Sequence, residues 1–127
     1  MDAASLKAFF DACASAWDHR PPDPARLERI AALADIGSGM DVLDIACGTG
    51  VMFGPILARN PRRLVAIDLS DAMIRVAAAK HRDPRITLIA GDFYDAPTGT
   101  FDRAVMHNAY PHFFDKERLA IRLANVV

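Results

Sequence analysis

Residues 42–50 have the sequence VLDIACGTG, a short apolar run that ends in a glycine-rich turn. A run of this length next to glycines is typical of a strand buried in a parallel sheet. Glycine lets the backbone approach a ligand closely, and open α/β sheets bind ligands at the carboxyl ends of their strands. This segment therefore predicts a small-molecule site at the end of the first strand.

Alternating strands and helices follow this segment. The predicted strands are residues 64–67, 86–89 and 101–106, and the predicted helices are residues 52–59, 71–80 and 116–125. Short connections between alternating elements favour a parallel sheet with right-handed crossovers. The pattern therefore predicts an α/β fold.

Two helices are predicted before the first strand. Apolar residues at helical spacing place them over residues 4–17 and 25–34, with a proline-rich break between them. In the second helix we expect an inward face of Leu27, Ile30, Ala31 and either Leu33 or Ala34. Residues 1–36 are expected to form an N-terminal helical cap, and residues 37–127 the sheet-bearing part of the same domain.

Composition excludes several classes of protein. The 127 residues include 15 basic and 16 acidic side chains, and 52% are apolar, which argues against disorder. The near-neutral charge gives no basic surface for nucleic acid or an anionic membrane. We find no signal peptide, no apolar stretch long enough to span a bilayer, and no metal-ligand spacing. Two separated cysteines are typical of a reducing compartment, so we expect a cytoplasmic protein. From the charge and the absence of a long apolar stretch, we expect no nucleic-acid or membrane partner.

An acid at the end of the second strand narrows the choice of ligand. Asp68 lies 18 residues after Gly50 and can accept two hydrogen bonds from ribose hydroxyls. The dinucleotide pattern Gly-x-Gly-x-x-Gly is imperfect, because Phe53 occupies the third glycine position. Asp44, just before the turn, suits a ligand that carries an ammonium group better than one that carries a second phosphate. The residues thus favour S-adenosylmethionine, with nicotinamide dinucleotide as a weaker alternative.

Four segments, in order along the chain, resemble the motifs of class I S-adenosylmethionine-dependent methyltransferases. They are residues 44–50 (DIACGTG), 65–70 (VAIDLS), 91–93 (GDF) and 101–105 (FDRAV), with Ala46 where many members have glycine. The resemblance implies a Rossmann-like, open and mostly parallel sheet with strand order 3-2-1-4, from which the C-terminal strands are missing. It also implies methyl transfer to a small-molecule acceptor, because residues 108–111 do not match the motif of base-methylating enzymes.

The resemblance also implies a cofactor role for particular positions. Asp44 and the turn would hold the amino-acid portion of S-adenosyl-L-methionine, Asp68 the ribose, and Asp92 the adenine amino group. The full implied set of cofactor-binding residues is Asp44, Ala46, Cys47, Gly48, Thr49, Gly50, Asp68, Leu69, Met73, Asp92, Phe93, His107 and Asn108.

Few side chains are needed for the chemistry of methyl transfer. The reaction depends on positioning and desolvation, and a base is required only when the nucleophile carries a proton. His107 and His112 are the candidate bases, because imidazole titrates near neutral pH. Trp17, His19 and Tyr110 are candidates for the substrate side or a lid. Cys47 is expected to fill space rather than act as a nucleophile.

A second hypothesis comes from the end of the chain. Because the sequence stops after the fourth strand and its helix, it is also compatible with a catalytically silent cofactor-binding or interaction module. The fourth strand would then have an unpaired edge formed by Ala104, Val105 and Met106. Such an edge predicts a homodimer through strand pairing.

Overall fold

Four parallel strands form the central sheet of the protein. The computed structural model describes residues 2–96, 99–109 and 112–127. The strands are β1 (Asp41–Ile45), β2 (Arg63–Asp68), β3 (Ile86–Ala90) and β4 (Arg103–Val105). Their order is β3-β2-β1-β4, which confirms the predicted order 3-2-1-4 of an open Rossmann-like sheet.

Helices connect and cover these strands. They are α1 (Ala3–Cys13), α2 (Pro24–Leu33), α3 (Phe53–Leu57), α4 (Asp71–Lys80) and α5 (Lys116–Val126). Four of them begin at a residue whose side chain accepts a hydrogen bond from a backbone N–H of the first turn, namely Asp2, Asp23, Ser70 and Asp115. In the described part of the chain, no helix combines the length and the hydrophobicity that a membrane span requires.

Three elements are shorter or tighter than the sequence predicts. The first helix changes at Ala14 into a 3₁₀ helix, Ala14–His19, where Asp18 is held by Thr49 and Lys80. Helix α3 covers only the middle of the predicted residues 52–59, because the glycine turn continues through Met52.

The fourth strand is also shorter than the predicted residues 101–106. The backbone N–H of Phe101 donates to the carbonyl of Val126 in α5, at 2.8 Å, so this residue is drawn to the helix and not into the ladder. Only residues 103–105 pair with β1.

A hydrophobic core lies on each face of the sheet. Alternate residues of a strand point to opposite faces, so both faces of β1 and β2 must be apolar. On one face, Val42, Leu64 and Ala66 pack with residues of α2, α3 and α4. On the other, Leu43, Ile45, Val65 and Ile67 pack with Phe93, Phe101 and α5. Of the two alternatives at the end of α2, the inward residue is Ala34, which follows the last residue of the helix, since Leu33 is 80% exposed.

The outer edge of β4 pairs with no other strand among the described residues. Beside it lies a hollow of about 240 Å³. It is lined by Ile45, Ala104, Val105, Met106, Leu119 and Leu123. The edge therefore adjoins an apolar surface as well as unpaired backbone groups.

Gly50 tests how tightly the glycine turn is packed. Its φ is +86°, and a Cβ at this position would lie 2.6 Å from two ring carbons of Phe53 and 3.0 Å from His81. We expect Gly50→Ala to lower the free energy of unfolding by about 2–3 kcal/mol, because strain and overpacking add. Denaturant unfolding measures this change.

Gly54→Ala is the matched control, because it makes the same substitution four residues later, in α3. A Cβ there meets no heavy atom within 4 Å, so we expect this variant to gain roughly 0.5–1 kcal/mol from helix propensity. Equal destabilisation of the two variants would contradict the packing argument.

Candidate functional site

A cavity of about 630 Å³ lies at the carboxyl ends of the strands. This volume falls within the range of about 300–1,000 Å³ that small-molecule sites occupy. The sequence-predicted residues that line it are Trp17, Ala46, Cys47, Gly48, Thr49, Asp68, Leu69, Met73, Asp92, Phe93, His107, Asn108 and His112. The structure therefore brings most of the predicted site to one edge of the sheet.

Three of the predicted residues that the structure describes do not line this cavity. Asp44 and Gly50 are buried, and His19 is exposed. Tyr110 lies outside the described residues.

The turn after β1 has a backbone that few side chains tolerate. Ala46, Gly48 and Gly50 all have positive φ angles, of 56°, 58° and 86°. Ala46 thus adopts the left-handed conformation that glycine adopts easily, at a cost of order 1 kcal/mol. The turn keeps this shape without glycine at its first position.

Asp68 connects the end of β2 to this turn. Its Oδ2 accepts a hydrogen bond from the backbone N–H of Gly48 at 2.8 Å, and its Oδ1 accepts one from that of Ser70 at 2.9 Å. Burial raises the pKa of this carboxyl, and the two hydrogen bonds only partly oppose the shift. Asp68 is thus oriented by the backbone while it lines the cavity.

Asp44 is buried and has no hydrogen-bond partner. Its side chain is 1% exposed, and neither carboxyl oxygen has a partner in the structure. Burial and the neighbouring Asp68 raise its pKa well above the usual range. Because an unpaired buried carboxyl is costly, this group is available to a cation bound at the adjoining turn.

A roof over the cavity is formed by residues 3–20, which comprise α1 and the 3₁₀ helix. Asp11 of the roof accepts hydrogen bonds from the Ser70 hydroxyl at 2.5 Å and from the Ala72 N–H at 3.3 Å. It also pairs with Lys7 at 2.7 Å, and the Lys7 and Ser70 hydrogen bonds lower its pKa to about 2. Through Ser70, whose N–H donates to Asp68, the roof is connected to the strand-end carboxylate.

A second aspartate fixes the other end of the roof. Asp18 accepts hydrogen bonds from the Thr49 hydroxyl at 2.7 Å and from Lys80 at 2.8 Å. The indole of Trp17 lies above the turn, because a Cβ on Gly48 would be 3.8 Å from its Nε1. The roof therefore contacts both the turn and α4.

The predicted bases differ in their surroundings. His107 follows β4, lines the cavity, and has a buried Nε2 without a hydrogen-bond partner in the structure. Burial and the charge of Arg26 lower its pKa, so the ring is neutral at pH 7. His112 is exposed and contacts the Phe10 ring edge-on at 5.3 Å. His107 is thus better placed to accept a proton.

Cys47 lies in the wall of the cavity. It is 7% exposed, its thiol donates to the Gly48 carbonyl at 3.6 Å, and burial raises its pKa. These properties are those of an unreactive thiol. Over the described ranges, no group of three or more His, Cys, Asp and Glu side chains is arranged to hold a metal ion.

Two cavity residues were missed by the sequence reasoning. Tyr94 and Arg118 line the cavity beside predicted residues. Tyr94 is adjacent to Phe93, and the Arg118 guanidinium lies 3.9 Å from the centre of its ring. Proximity to a predicted motif could have indicated Tyr94, whereas nothing in the sequence indicates Arg118.

Comparison with known proteins identifies the family. A family model described as a methyltransferase domain matches residues 42–127, which include the turn, Asp68 and Asp92. The chain belongs to this methyltransferase family. The match favours the first hypothesis from the sequence over nicotinamide dinucleotide binding.

Curated relatives of this methyltransferase domain have diverse acceptors in their names. Nocamycin O-methyltransferase of Saccharothrix syringae is 30% identical over 106 residues, which cover 78% of this chain and 38% of that protein. Ribosomal RNA small subunit methyltransferase A of Geobacter sulfurreducens is 35% identical over 74 residues, covering 58% of this chain and 26% of that protein. The chain thus spans well under half of either relative, and the names agree on methyl transfer but not on the acceptor.

A solved structure shows the same fold over the whole chain. Magnesium protoporphyrin IX methyltransferase from Synechocystis PCC 6803 with bound SAM has a TM-score of 0.81 at 18% identity, covering 100% of this chain and 73% of that one. A second structure of that enzyme contains bound SAH. S-adenosylmethionine is the cofactor that the family and the fold indicate for this site.

Asp11 is expected to act on cofactor binding through Ser70. We expect Asp11→Asn to weaken binding of S-adenosylhomocysteine roughly tenfold, because it removes the charged hydrogen-bond acceptor of Ser70, whose N–H donates to Asp68. Titration calorimetry measures the affinity, and denaturant unfolding reports any change in stability.

The control is Asp71→Asn, which changes the other carboxylate near Lys7, at 3.4 Å, and leaves the Asp11 contacts in place. We expect its affinity to stay within about twofold of the starting protein, since Asp71 has no bond to the cavity residues. An equal loss of affinity in both variants would mean that the effect comes from removing a carboxylate beside Lys7, and not from the hydrogen bond between Ser70 and Asp11.

Proposed function

We propose that this chain binds S-adenosylmethionine in the cavity and transfers its methyl group to a small-molecule acceptor. One observation carries this proposal. In a chain that matches a methyltransferase domain, the turn after β1, Asp68 and residues 92–93 line the same cavity at one edge of the sheet. The cavity volume and the roof above it favour an acceptor of small size.

The residues present fit this cofactor. Asp68 would accept hydrogen bonds from the ribose hydroxyls, since each of its oxygens keeps a lone pair beyond its present bond. Leu69 and Met73 would flank the adenine, and Asp92 would accept from its amino group. The unpartnered Asp44 carboxyl would favour a positive amino group near the turn.

The chain's own contribution to the reaction would be positioning, exclusion of water and proton acceptance. When bound, the cofactor supplies a methyl group on a positively charged sulfur atom. The roof would keep water from the cavity, which strengthens electrostatic interactions within it. His107 would act as the base for an acceptor whose nucleophile carries a proton, because its imidazole is neutral at pH 7.

Asp68 provides the direct test of the cofactor site. We expect S-adenosylhomocysteine to bind to the starting protein, and Asp68→Ala to weaken binding at least tenfold through loss of its ribose contacts. Titration calorimetry measures both. Asp68→Asn keeps the size of the side chain and should lose nearly as much, since an amide cannot accept at both positions.

Asp71→Ala is the control, because this exposed residue lies three positions later and does not line the cavity. No binding of S-adenosylhomocysteine or S-adenosylmethionine at millimolar concentration would overturn the proposal. Binding without turnover on any acceptor would instead support a catalytically silent cofactor-binding module.

We also propose that two copies of this chain pair through the free edge of β4. Support comes from the unpaired strand and from the apolar hollow beside it.

Cys13 and Cys47 are both free thiols, which fits the cytoplasmic location that the sequence predicts.

Charge at this edge should prevent the pairing. We expect sedimentation analysis to show a concentration-dependent dimer, and Met106→Glu to shift it to monomer because edge charges oppose strand pairing. Leu33→Glu, at an exposed apolar residue on α2, should leave the dimer unchanged. A monomer at all concentrations of the starting protein would contradict the proposal.

A further inference from the structure

Part of the cavity is lined by residues to which we assign no contact with the cofactor. Beyond the strand ends, its wall is formed mainly by aromatic side chains and two arginines, which we call the acceptor wall. Its members are Phe10, Trp17, Arg20, Tyr94, His112, Phe113, Phe114 and Arg118. Trp17 and Phe114 are 43% and 63% exposed, and large apolar side chains that remain exposed around a cavity indicate a binding surface.

Contacts between the rings hold the acceptor wall in place. On the roof side, the Phe10 ring meets the rings of Trp17 at 5.7 Å and His112 at 5.3 Å. On the opposite side, the rings of Tyr94 and Phe113 meet edge-on at 6.0 Å. A cavity lined by several aromatic rings that are held by such contacts is suited to a flat apolar ligand.

Acidic groups along the cavity are engaged by the protein itself. Asp18 accepts hydrogen bonds from Thr49 and Lys80, and Asp92 accepts one from the Tyr94 N–H at 2.9 Å. Asp115 caps α5 by accepting from the Arg118 N–H at 3.0 Å. These carboxylates are therefore partly or fully used by local donors.

The two arginines of the acceptor wall are not used in this way. Among the salt bridges of the described residues, none involves Arg20 or Arg118. Arg122, one turn further along α5, donates to the carbonyls of Phe93 and Ala96 at 3.0 and 2.8 Å. Arg118 instead lies over the Tyr94 ring, a contact that orients the guanidinium and leaves its N–H groups for another partner.

We propose that the acceptor is a flat, apolar molecule that carries an acidic group. Its ring stacks on the aromatic side chains of the acceptor wall, and its acidic group is bound by Arg118. Arg20 lines the same cavity and adds a second positive charge. A guanidinium recognises a carboxylate through paired hydrogen bonds, so Arg118 supplies orientation as well as charge. The inference rests on the proposed methyl transfer and adds the chemical class of the acceptor.

The test compares an acid with its neutral analogue. With S-adenosylhomocysteine at saturation, we expect 2-naphthoate to bind at least tenfold more tightly than 2-naphthamide, because only the acid pairs with Arg118. Calorimetry or NMR titration gives both affinities. In Arg118→Gln we expect the two probes to bind within about twofold of each other.

Arg75→Gln is the control, since Arg75 is exposed on α4 and does not line the cavity. It should keep the full preference for the acid, and unfolding curves should show that both variants fold. Equal binding of the two probes, no binding of either, or a preference that survives Arg118→Gln would each overturn the inference.

The two proposals fail separately. Binding of S-adenosylhomocysteine is measured first, without any probe. A lack of binding in that experiment counts against the proposed cofactor site alone. Probe binding is then measured with and without S-adenosylhomocysteine. A normal affinity for S-adenosylhomocysteine together with no preference for the acid would overturn only the acceptor class.

Discussion

The site depends on the two hydrogen bonds that the Asp68 carboxylate accepts from the backbone. One of its oxygens accepts a hydrogen bond from Gly48 in the turn after β1, and the other accepts one from Ser70 at the start of α4, so the carboxylate connects two segments that are distant in the chain. Ser70 extends the connection, because its hydroxyl donates to Asp11 of the roof. A single carboxylate at the end of a central strand thus joins the turn, α4 and the roof around one cavity.

This arrangement costs stability in the absence of a ligand. Asp44 and Asp68 are buried near each other, and burial raises the pKa of both carboxyls. A raised carboxyl pKa means that the folded state holds protons that the unfolded state releases. Stability therefore falls as the pH rises from the unfolded value of about 3.9 through the raised folded values. A ligand cation bound at the turn would offset this loss, because a ligand that binds only the folded state stabilises it.

The sequence could predict the parts of the molecule that local patterns determine. Apolar runs and glycines predicted the four strands, the resemblance to methyltransferases implied their order, and the spacing of Asp68 predicted its place at the cavity. Asp11 could not be predicted in the same way, because its partner Ser70 is 59 residues away and the bond exists only once α1 packs on α4. The late start of β4 has a similar origin, since Phe101 is hydrogen-bonded to the last turn of α5.

The two halves of the cavity come from different parts of the fold. The cofactor half is formed by strand ends, where backbone geometry and pairing leave little freedom in the positions of Asp68 and the turn. The acceptor wall comes from the roof, the segment after β3 and residues 112–118, none of which belongs to a strand of the sheet. Such peripheral segments can change their side chains without disturbing the strand pairing. Relatives that share the cofactor half can therefore act on acceptors as different as their names indicate, and the chemistry of the acceptor must be inferred from the acceptor wall of each chain.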